Sequence, residues 1–162
     1  MEDDTESVPL SESHTEMTEM LLPNDTNDLG RALGGVVLHW MDICGAISAM
    51  RFSNQQCVTA SMDHVDFIAP IDTGEIAVTR AYVFNTGRTS VDVKVDVHSE
   101  NPRTGTQQDT TTSFLTYVAI DESGTPVTVP NVACKTEAEA ELRQSAVEKR
   151  QSELQSIVDR ME

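Results

Sequence analysis

The chain has 162 residues and carries 27 acidic side chains against 11 basic ones, which gives a formal net charge of −16 at pH 7. A surface of that sign repels the phosphate backbone, so nucleic-acid binding is excluded as a function class. The length suits one domain with a buried core, and no apolar run approaches the roughly 20 residues that a membrane-spanning helix needs. The sequence therefore predicts one domain with no nucleic-acid or membrane partner.

The acidic surplus has two explanations. A protein adapted to molar salt carries such a surface, since screening there shortens the Debye length to about 3 Å and removes most self-repulsion. The alternative is an ordinary acidic protein with an acidic tail, because residues 1–19 alone supply seven acids. The rest of the chain is still acidic without them, and we favour adaptation to high salt.

The three cysteines are Cys44, Cys57 and Cys134, far apart in the chain and odd in number. They argue against a disulfide framework and against a zinc site, so no metal is expected and a reducing compartment fits. The N-terminus has neither the basic nor the apolar segment of a secretory signal. We therefore expect a cytoplasmic protein.

The first part of the chain divides into a tail, a strand and a loop. Residues 1–14 are polar and acidic with few apolar groups, and they are predicted to be disordered. Residues 15–22 are compatible with a first strand. The turn formers between Pro23 and Gly30 then predict a structured loop.

Residues 35–50 form a run that is apolar on nearly every face, with His39, Asp42 and Ser48 as the polar exceptions. The run is long enough for four turns of helix. A helix that is apolar all round is predicted to be buried on all sides.

Four strand-like stretches follow the helix, at residues 57–68, 75–85, 89–99 and 107–120, separated by clusters of turn formers. In the third stretch valines alternate with polar residues from Val91 to His98, the period-2 pattern of a strand covered on one side only. After residue 132, a capping box at Thr136 and Glu139 predicts a peripheral, weakly amphipathic helix over residues 133–162. A curved antiparallel sheet wrapped around one central helix, an α+β arrangement over residues 15–132, explains this order most simply.

A single sheet cannot cover the whole circumference of a helix. A second copy of the chain is therefore expected to close the open side, and we predict at least a dimer.

Asp42 is the anomaly in the apolar helix, because an ionised carboxylate there costs several kcal/mol unless it is paired or neutralised. One explanation is structural, a hydrogen bond to a backbone group or to His39 three residues earlier. The other is catalytic, since a partly buried carboxylate with a raised pKa suits general-base catalysis near neutral pH. The residues alone leave both open.

Gly34 and Gly35 open the helix, where free N–H groups and the positive end of the helix dipole suit a developing oxyanion. A Gly-Gly pair is more often a turn or a close-packing point. Asn27 in the preceding loop offers an amide donor, although an Asx-turn is the more frequent use of such a residue.

The turn at Thr86, Gly87, Arg88, Thr89 and Ser90 combines hydroxyls with one of the few cations in the chain, which suits a phosphate. An ordinary hairpin turn with an incidental Arg is the more frequent case.

Segments along the chain resemble the hotdog-fold acyl-CoA thioesterases, in particular the cytosolic acyl-CoA hydrolase group. They are PNDTN at residues 23–27 with Gly30, Gly34 and Gly35; MDICGA at 41–46; VTA at 58–60; VDF at 65–67 with Pro70 and Gly74; TGRTS at 86–90; and FLTYV at 114–118. The resemblance covers about residues 17–130, and the combined pattern is far more specific than any one segment.

The resemblance implies a hotdog fold, a homo-oligomer built as a trimer of dimers, and an active site at the subunit interface. By analogy, Asp42 of one subunit acts with Asn27 and the Gly35 region of the other, and the turn around Arg88 contacts coenzyme A. Gly34 and Phe67 are also expected in the substrate site. The histidine that the family usually has before the two glycines is Leu33 here.

We expect hydrolysis of acyl-CoA to free fatty acid and coenzyme A, in which Asp42 activates water and no cofactor is needed beyond the coenzyme A of the substrate. Attack by Asp42 itself, giving an anhydride, stays open. The main alternative is a non-catalytic acyl-CoA-binding or regulatory hotdog protein. A hotdog dehydratase would need a well-placed histidine, and only His39 lies on the helix.

Overall fold

The computed structural model describes residues 6–162. Its strands are β1 Ser7–Pro9, β2 Thr15–Met20, β3 Gln56–Met62, β4 Ile76–Thr86, β5 Ser90–Glu100, β6 Gln107–Ile120 and β7 Asn131–Ala133, and its helices are α1 Gly34–Ser53 and α2 Glu137–Met161. Five strands form one antiparallel sheet in the order β2, β4, β5, β6, β3, and this sheet curves around α1. The predicted arrangement of a helix held in a curved antiparallel sheet is confirmed.

Helix α1 begins one residue before the predicted start and runs three residues past the predicted end. It stops where Asn54 takes a left-handed conformation, with a φ of 55°, and donates its N–H to the Met50 carbonyl at 2.9 Å. Such a residue is a common C-terminal cap because a short polar side chain tolerates this conformation. The single chain does not bury the helix on all sides, since Gly35, His39 and Ile43 are exposed along one face.

Strand β5 shows the predicted alternation, but both of its faces are covered. Its four valines are at most 1% exposed and face α1. The opposite, polar face was predicted to meet solvent. Helix α2 lies over part of it instead, and the Asp92 side chain is only 13% exposed.

Helix α2 packs on the outer face of the sheet. Its Ala146 is fully buried in a second apolar cluster with Leu10, Tyr82, Phe84 and Phe114. The predicted cap is present at the N-terminus, where the Thr136 hydroxyl accepts the N–H of Glu139. The Glu139 carboxylate, however, accepts from the N–H groups of Lys135 and Ser11, so this helix start is tied to the N-terminal segment. No helix within residues 6–162 has the length and apolarity needed to cross a membrane.

The N-terminal segment differs from the prediction of a disordered tail over residues 1–14. Strand β1 pairs in parallel with β7, and a 3-10 turn spans Leu10–Ser13. Leu10 is fully buried under α2, and the Ser13 hydroxyl accepts from the Val83 N–H at 2.8 Å. A single buried leucine and a few hydrogen bonds thus order a segment whose composition is that of a tail; residues 1–5 lie outside the described residues.

The strand predicted over residues 57–68 ends early, at Met62. The chain beyond it still follows β6, with the Asp63 N–H bonded to the Phe114 carbonyl and the Ile68 N–H bonded to the Thr110 carbonyl, both at 2.9 Å. Residues 63–68 thus stay beside β6 without regular strand pairing.

Arg150 joins α2 to the sheet through two carboxylates. Its guanidinium lies 3.0 Å from Asp63 and 3.3 Å from Asp92, and all three side chains are at most 21% exposed. Removing one member of such a buried group leaves an uncompensated charge, which costs more than the net stabilisation of the intact group.

We therefore predict that Arg150→Met lowers the free energy of unfolding by about 3 kcal/mol, measured by guanidinium denaturation. The matched control is Arg143→Met on the same helix, since Arg143 donates only to the neutral Phe84 carbonyl, at 3.1 Å. The control should cost about 1 kcal/mol. Equal losses in the two variants would contradict the carboxylate explanation.

Candidate active site

The start of α1 presents unused N–H groups. Leu33 precedes it in an extended conformation and gives no side-chain cap. The N–H groups of Gly34 and Gly35 have no acceptor among the described residues, as expected for the first turn of a helix. A Cβ at Gly35 would meet nothing within 4 Å. The positive end of the helix dipole is thus open to a polar or anionic group.

Asn27 lies in the loop before α1, and its side chain folds back on that loop. Its Oδ1 accepts from the N–H of Leu29 at 2.9 Å and from that of Arg31 at 3.2 Å. This arrangement is the Asx-turn that the sequence offered as the structural explanation of Asn27. The turn also fixes the orientation of the Asn27 side-chain amide. Nδ2 points away from the two hydrogen bonds of Oδ1 and has no acceptor within residues 6–162. The turn therefore leaves Nδ2 of Asn27 free to donate a hydrogen bond.

A cavity of about 360 Å³ opens beside the helix start. Its lining is Asn27, Arg31, Ala32, Gly34, Val37, Phe67, Ile68, Ala69, Pro70, Ile71 and Thr110. The Phe67 ring lies against the helix, with Cε2 3.5 Å from where a Cβ on Gly34 would be, and the ring is 47% exposed. The structure thus brings together three of the predicted site residues, Asn27, Gly34 and Phe67.

Asp42 is half-buried and is held through one carboxylate oxygen. Its Oδ1 accepts from the Thr59 hydroxyl at 2.7 Å, and the Tyr117 hydroxyl lies 3.2 Å from the same atom. Neither a cation nor His39 pairs with it in the described part of the chain. Oδ2 has no donor there either. The carboxylate is therefore anchored by neutral hydroxyls on one side and open on the other.

The Asp42 carboxylate and the helix start do not converge within one chain. Asp42 follows Gly35 by seven residues, which is about two turns and roughly 10.5 Å along the axis. One small reacting group cannot touch both points. Within one chain, the helix start and the Asp42 carboxylate are therefore two separate polar clusters.

The turn between β4 and β5 lies close to Asp42 and not to the cavity. Val91, directly after the turn, pairs with Tyr117, which contacts Asp42. Thr110, which lines the cavity, precedes Tyr117 by seven residues in β6, roughly 23 Å of strand. The structure does not bring this turn near the cavity of the same chain.

Backbone hydrogen bonds hold the turn between β4 and β5 in place. The Gly87 N–H donates to the Ser90 carbonyl, and the Arg88 carbonyl accepts from the Val129 N–H, both at 2.9 Å. The Arg88 side chain is exposed and makes no ion pair with any residue in the described range. An unpaired guanidinium on a fixed turn suits contact with a phosphate.

The cysteine of the central helix, Cys44, does not supply a nucleophile. Burial raises the pKa of Cys44 to about 12, and its Sγ lies 3.6 Å from the Thr79 carbonyl oxygen. A thiol in that state is unreactive near neutral pH. All three cysteines are free, and no group of His, Cys, Asp and Glu within residues 6–162 could hold a metal ion.

Sequence reasoning missed the partners of Asp42 and one polar group of the cavity. Tyr117 shares the inward phase of β6 with Leu115 and Ala119, all fully buried, and a buried tyrosine hydroxyl usually finds a partner. The alternation of apolar residues along β6 was therefore the sequence signal that could have identified Tyr117 as a buried residue with a partner. The Thr110 hydroxyl is buried without a hydrogen-bond partner in the described residues, and it lines the cavity.

The chain is similar to several known proteins. The family model of the thioesterase superfamily matches residues 29–106. An uncharacterized acyl-CoA thioester hydrolase of Bacillus subtilis is 40% identical over 138 residues, which are 85% of this chain and 80% of that protein. The crystal structure of an apo hexameric acyl-CoA thioesterase is 43% identical, with a TM-score of 0.84, over 94% of this chain and 97% of that chain.

An acyl-CoA hydrolase of Staphylococcus aureus, solved with butyryl coenzyme A, coenzyme A and coenzyme A disulfide, is 31% identical with a TM-score of 0.77, over 96% of this chain and 98% of that chain. Structures also exist of its variants in which an Asp, an Asn or a Thr is replaced by Ala. Each of these residues carries, in that protein, a number one higher than Asp42, Asn27 or Thr59 here.

Proposed function

We propose that this chain, which belongs to the acyl-CoA thioester hydrolases of the thioesterase superfamily, hydrolyses acyl-CoA to a free carboxylic acid and coenzyme A. The observation that carries the proposal is the Asp42 carboxylate, held through Oδ1 and open at Oδ2. The relatives support the substrate class, since they are named for acyl-CoA hydrolysis and one was solved with butyryl coenzyme A.

Asp42 acts as the general base. Its carboxylate takes a proton from water while the water oxygen attacks the thioester carbonyl carbon. The negative charge that develops on the carbonyl oxygen is stabilised by the Gly35 N–H and by Nδ2 of Asn27. Collapse of the tetrahedral intermediate breaks the C–S bond, and the coenzyme A thiolate leaves and takes up a proton. No cofactor takes part, because coenzyme A enters as part of the substrate.

The site is completed by two copies of the chain. Asp42 and Gly35 are roughly 10.5 Å apart along α1, and the uncovered face of that helix offers a surface for a partner. Asp42 of one copy therefore acts with Asn27 and Gly35 of the other. The assembly is a homo-oligomer, a trimer of hotdog dimers, which the hexameric relative supports.

The residue types agree with those chosen for substitution in the S. aureus relative. An Asp, an Asn and a Thr were each replaced there, and Asp42, Asn27 and Thr59 are the corresponding types in this proposal. Thr59 was absent from our sequence-based site. Its hydroxyl at 2.7 Å from Oδ1 supports its inclusion as the residue that orients the base.

Arg88 binds a phosphate of coenzyme A, together with the backbone and hydroxyl groups of its turn. The turn lies at the Asp42 end of the sheet, so one chain supplies the base and the phosphate contact. Its partner supplies the oxyanion donors and the cavity for the acyl group, which Phe67 borders.

The reaction belongs to cytoplasmic lipid metabolism in a salt-adapted cell. Three free cysteines suit a reducing compartment. The net charge of −16 suits molar salt.

We predict that Asp42→Asn lowers kcat by about 10²–10⁴-fold, because the amide cannot take the proton. Asn27→Ala should lower kcat by about 10²-fold through loss of an oxyanion donor. The measurement is release of free thiol from acyl-CoA at molar salt. Asp109→Asn, which removes the same charge from an exposed site, is the matched control and should leave kcat unchanged.

Near-wild-type turnover by Asp42→Asn would disprove the assignment of the base. Binding of acyl-CoA by the wild-type protein without any thiol release would instead identify a non-catalytic acyl-CoA-binding protein. Thiol release across a series of acyl chain lengths separates these outcomes.

For Arg88→Ala we expect KM for acyl-CoA to rise about tenfold with little change in kcat, since a phosphate contact far from the reacting carbon gives uniform binding. Arg103→Ala is the control, an equal charge change at an exposed residue in the turn between β5 and β6. An unchanged KM in Arg88→Ala, or an equal rise in both variants, would remove the phosphate contact from the proposal.

Activity toward acyl-CoA is predicted to rise at first with KCl concentration, because salt screens the repulsion between a polyanionic substrate and a protein of net charge −16. The neutral N-acetylcysteamine thioester of the same acyl group is the control, and its turnover should respond to salt only through protein stability. Highest activity toward acyl-CoA in dilute buffer would contradict salt adaptation.

A further inference from the structure

The hydroxyl of Tyr117 reaches from β6 to the backbone and the side chain of the same helical residue. It lies 2.8 Å from the Asp42 carbonyl oxygen and 3.2 Å from Oδ1 of that residue. The tyrosine is fully buried. Its one proton is thus shared between two acceptors of Asp42, and no other hydrogen-bond partner of this hydroxyl occurs in the described structure.

Gly45 makes this contact possible. A Cβ at this position would overlap the Tyr117 hydroxyl oxygen and lie 3.1 Å from the ring carbons Cε2 and Cζ. Glycine inside a helix costs about 1 kcal/mol relative to alanine. The interior of α1 therefore carries a destabilising residue at the one place where the hydroxyl needs the room.

The Tyr117 hydroxyl stays a donor over any practical assay range. Burial, and next the neighbouring Asp42 carboxylate, raise the pKa of Tyr117 well above its ordinary value. The titratable groups that face it are Asp42 and Cys44 from α1 and Cys57 from β3. None of these is a cation, so nothing facing the hydroxyl favours its ionised form.

Two donors from adjacent strands meet at one oxygen. Thr59 of β3 and Tyr117 of β6 are paired in the sheet, and both hydroxyls approach Oδ1 of Asp42. A carboxylate held at one oxygen from two directions cannot rotate freely. Its other oxygen then keeps a fixed direction, which general-base catalysis requires.

We propose that Tyr117, admitted by Gly45, is a positioning residue that fixes the Asp42 carboxylate so that Oδ2 is the atom that receives the proton from water. This inference deepens the proposed function and rests on it. The O–H bond of water breaks toward Oδ2 as the C–O bond to the thioester carbon forms.

The test is Tyr117→Phe, which removes the hydroxyl and keeps the ring. We expect kcat to fall about five- to tenfold with KM within about twofold of wild type. Tyr82→Phe is the matched control, a buried tyrosine whose hydroxyl donates to the Leu142 carbonyl at 3.2 Å on the other side of the sheet.

Gly45→Ala tests the same contact from the helix side. Its methyl group should lower kcat more in the wild-type background than in Tyr117→Phe, since phenylalanine lacks the oxygen that the Cβ would overlap. Folding and assembly are checked by circular dichroism and size-exclusion chromatography. If Gly45→Ala does not fold while Gly45→Ala with Tyr117→Phe does, that rescue also supports the inference.

A wild-type kcat in Tyr117→Phe would overturn the positioning role. An equal loss in Tyr82→Phe would also overturn it, since both variants would then act through general destabilisation. Failure of the proposed function gives a different result, because Asp42→Asn itself would remain active.

Discussion

The hydrogen bonds to the Asp42 carboxylate, which lies in the apolar helix α1, hold the centre of this molecule together. Asp42 is half-buried against the sheet, and a carboxylate there is stabilised by hydrogen-bond donors. Two strands supply hydroxyls for it, and the helix has a glycine in its interior where one of those hydroxyls enters. Neutral donors satisfy one oxygen without neutralising the charge. Oδ2 has no donor among the described residues, and it is the atom to which we assign the proton transfer.

The limited reach of the sheet supports the proposal that the site is divided between copies. Five strands curve around α1 and bury Val37, Trp40 and Met41. Gly35, His39 and Ile43 nevertheless stay exposed along one face. The donors at the helix start and the carboxylate two turns later both lie along this helix. In the proposed assembly, a partner copy covers this face and brings its own carboxylate to the first helix start. Burial of the exposed face and assembly of the proposed site then occur together.

Strong periodicity made most of the fold predictable. The apolar run of α1 and the alternating valines of β5 gave the central helix and the strand that faces it, and β6 has the predicted bounds. Strands β1 and β7 were missed, because three residues carry no period, and their pairing joins segments more than 120 residues apart. The N-terminal segment is ordered by tertiary contacts that its composition does not reveal.

The site was predictable only where its residues are close in sequence. Asn27, Gly34 and Gly35 lie in one loop and helix start, so the sequence marked them as candidates beside their more frequent structural roles, and the family resemblance predicted them in the site. Thr59 and Tyr117 reach Asp42 across sequence separations of 17 and 75 residues, and these contacts depend on strand register.

The register near Thr59 contains an irregularity that local sequence does not signal. The pairing of β3 with β6 shifts directly after Thr59, although neither Gly nor Pro occurs there. Bulges of this kind redirect side chains and often lie next to active sites. Thr59 shares the phase of the buried Cys57, which places its hydroxyl toward α1. Beyond the shift, β3 ends at Met62, and Phe67 in the following segment lies against Gly34. The irregularity in β3 thus lies between the residue that contacts the carboxylate and the residue that borders the cavity.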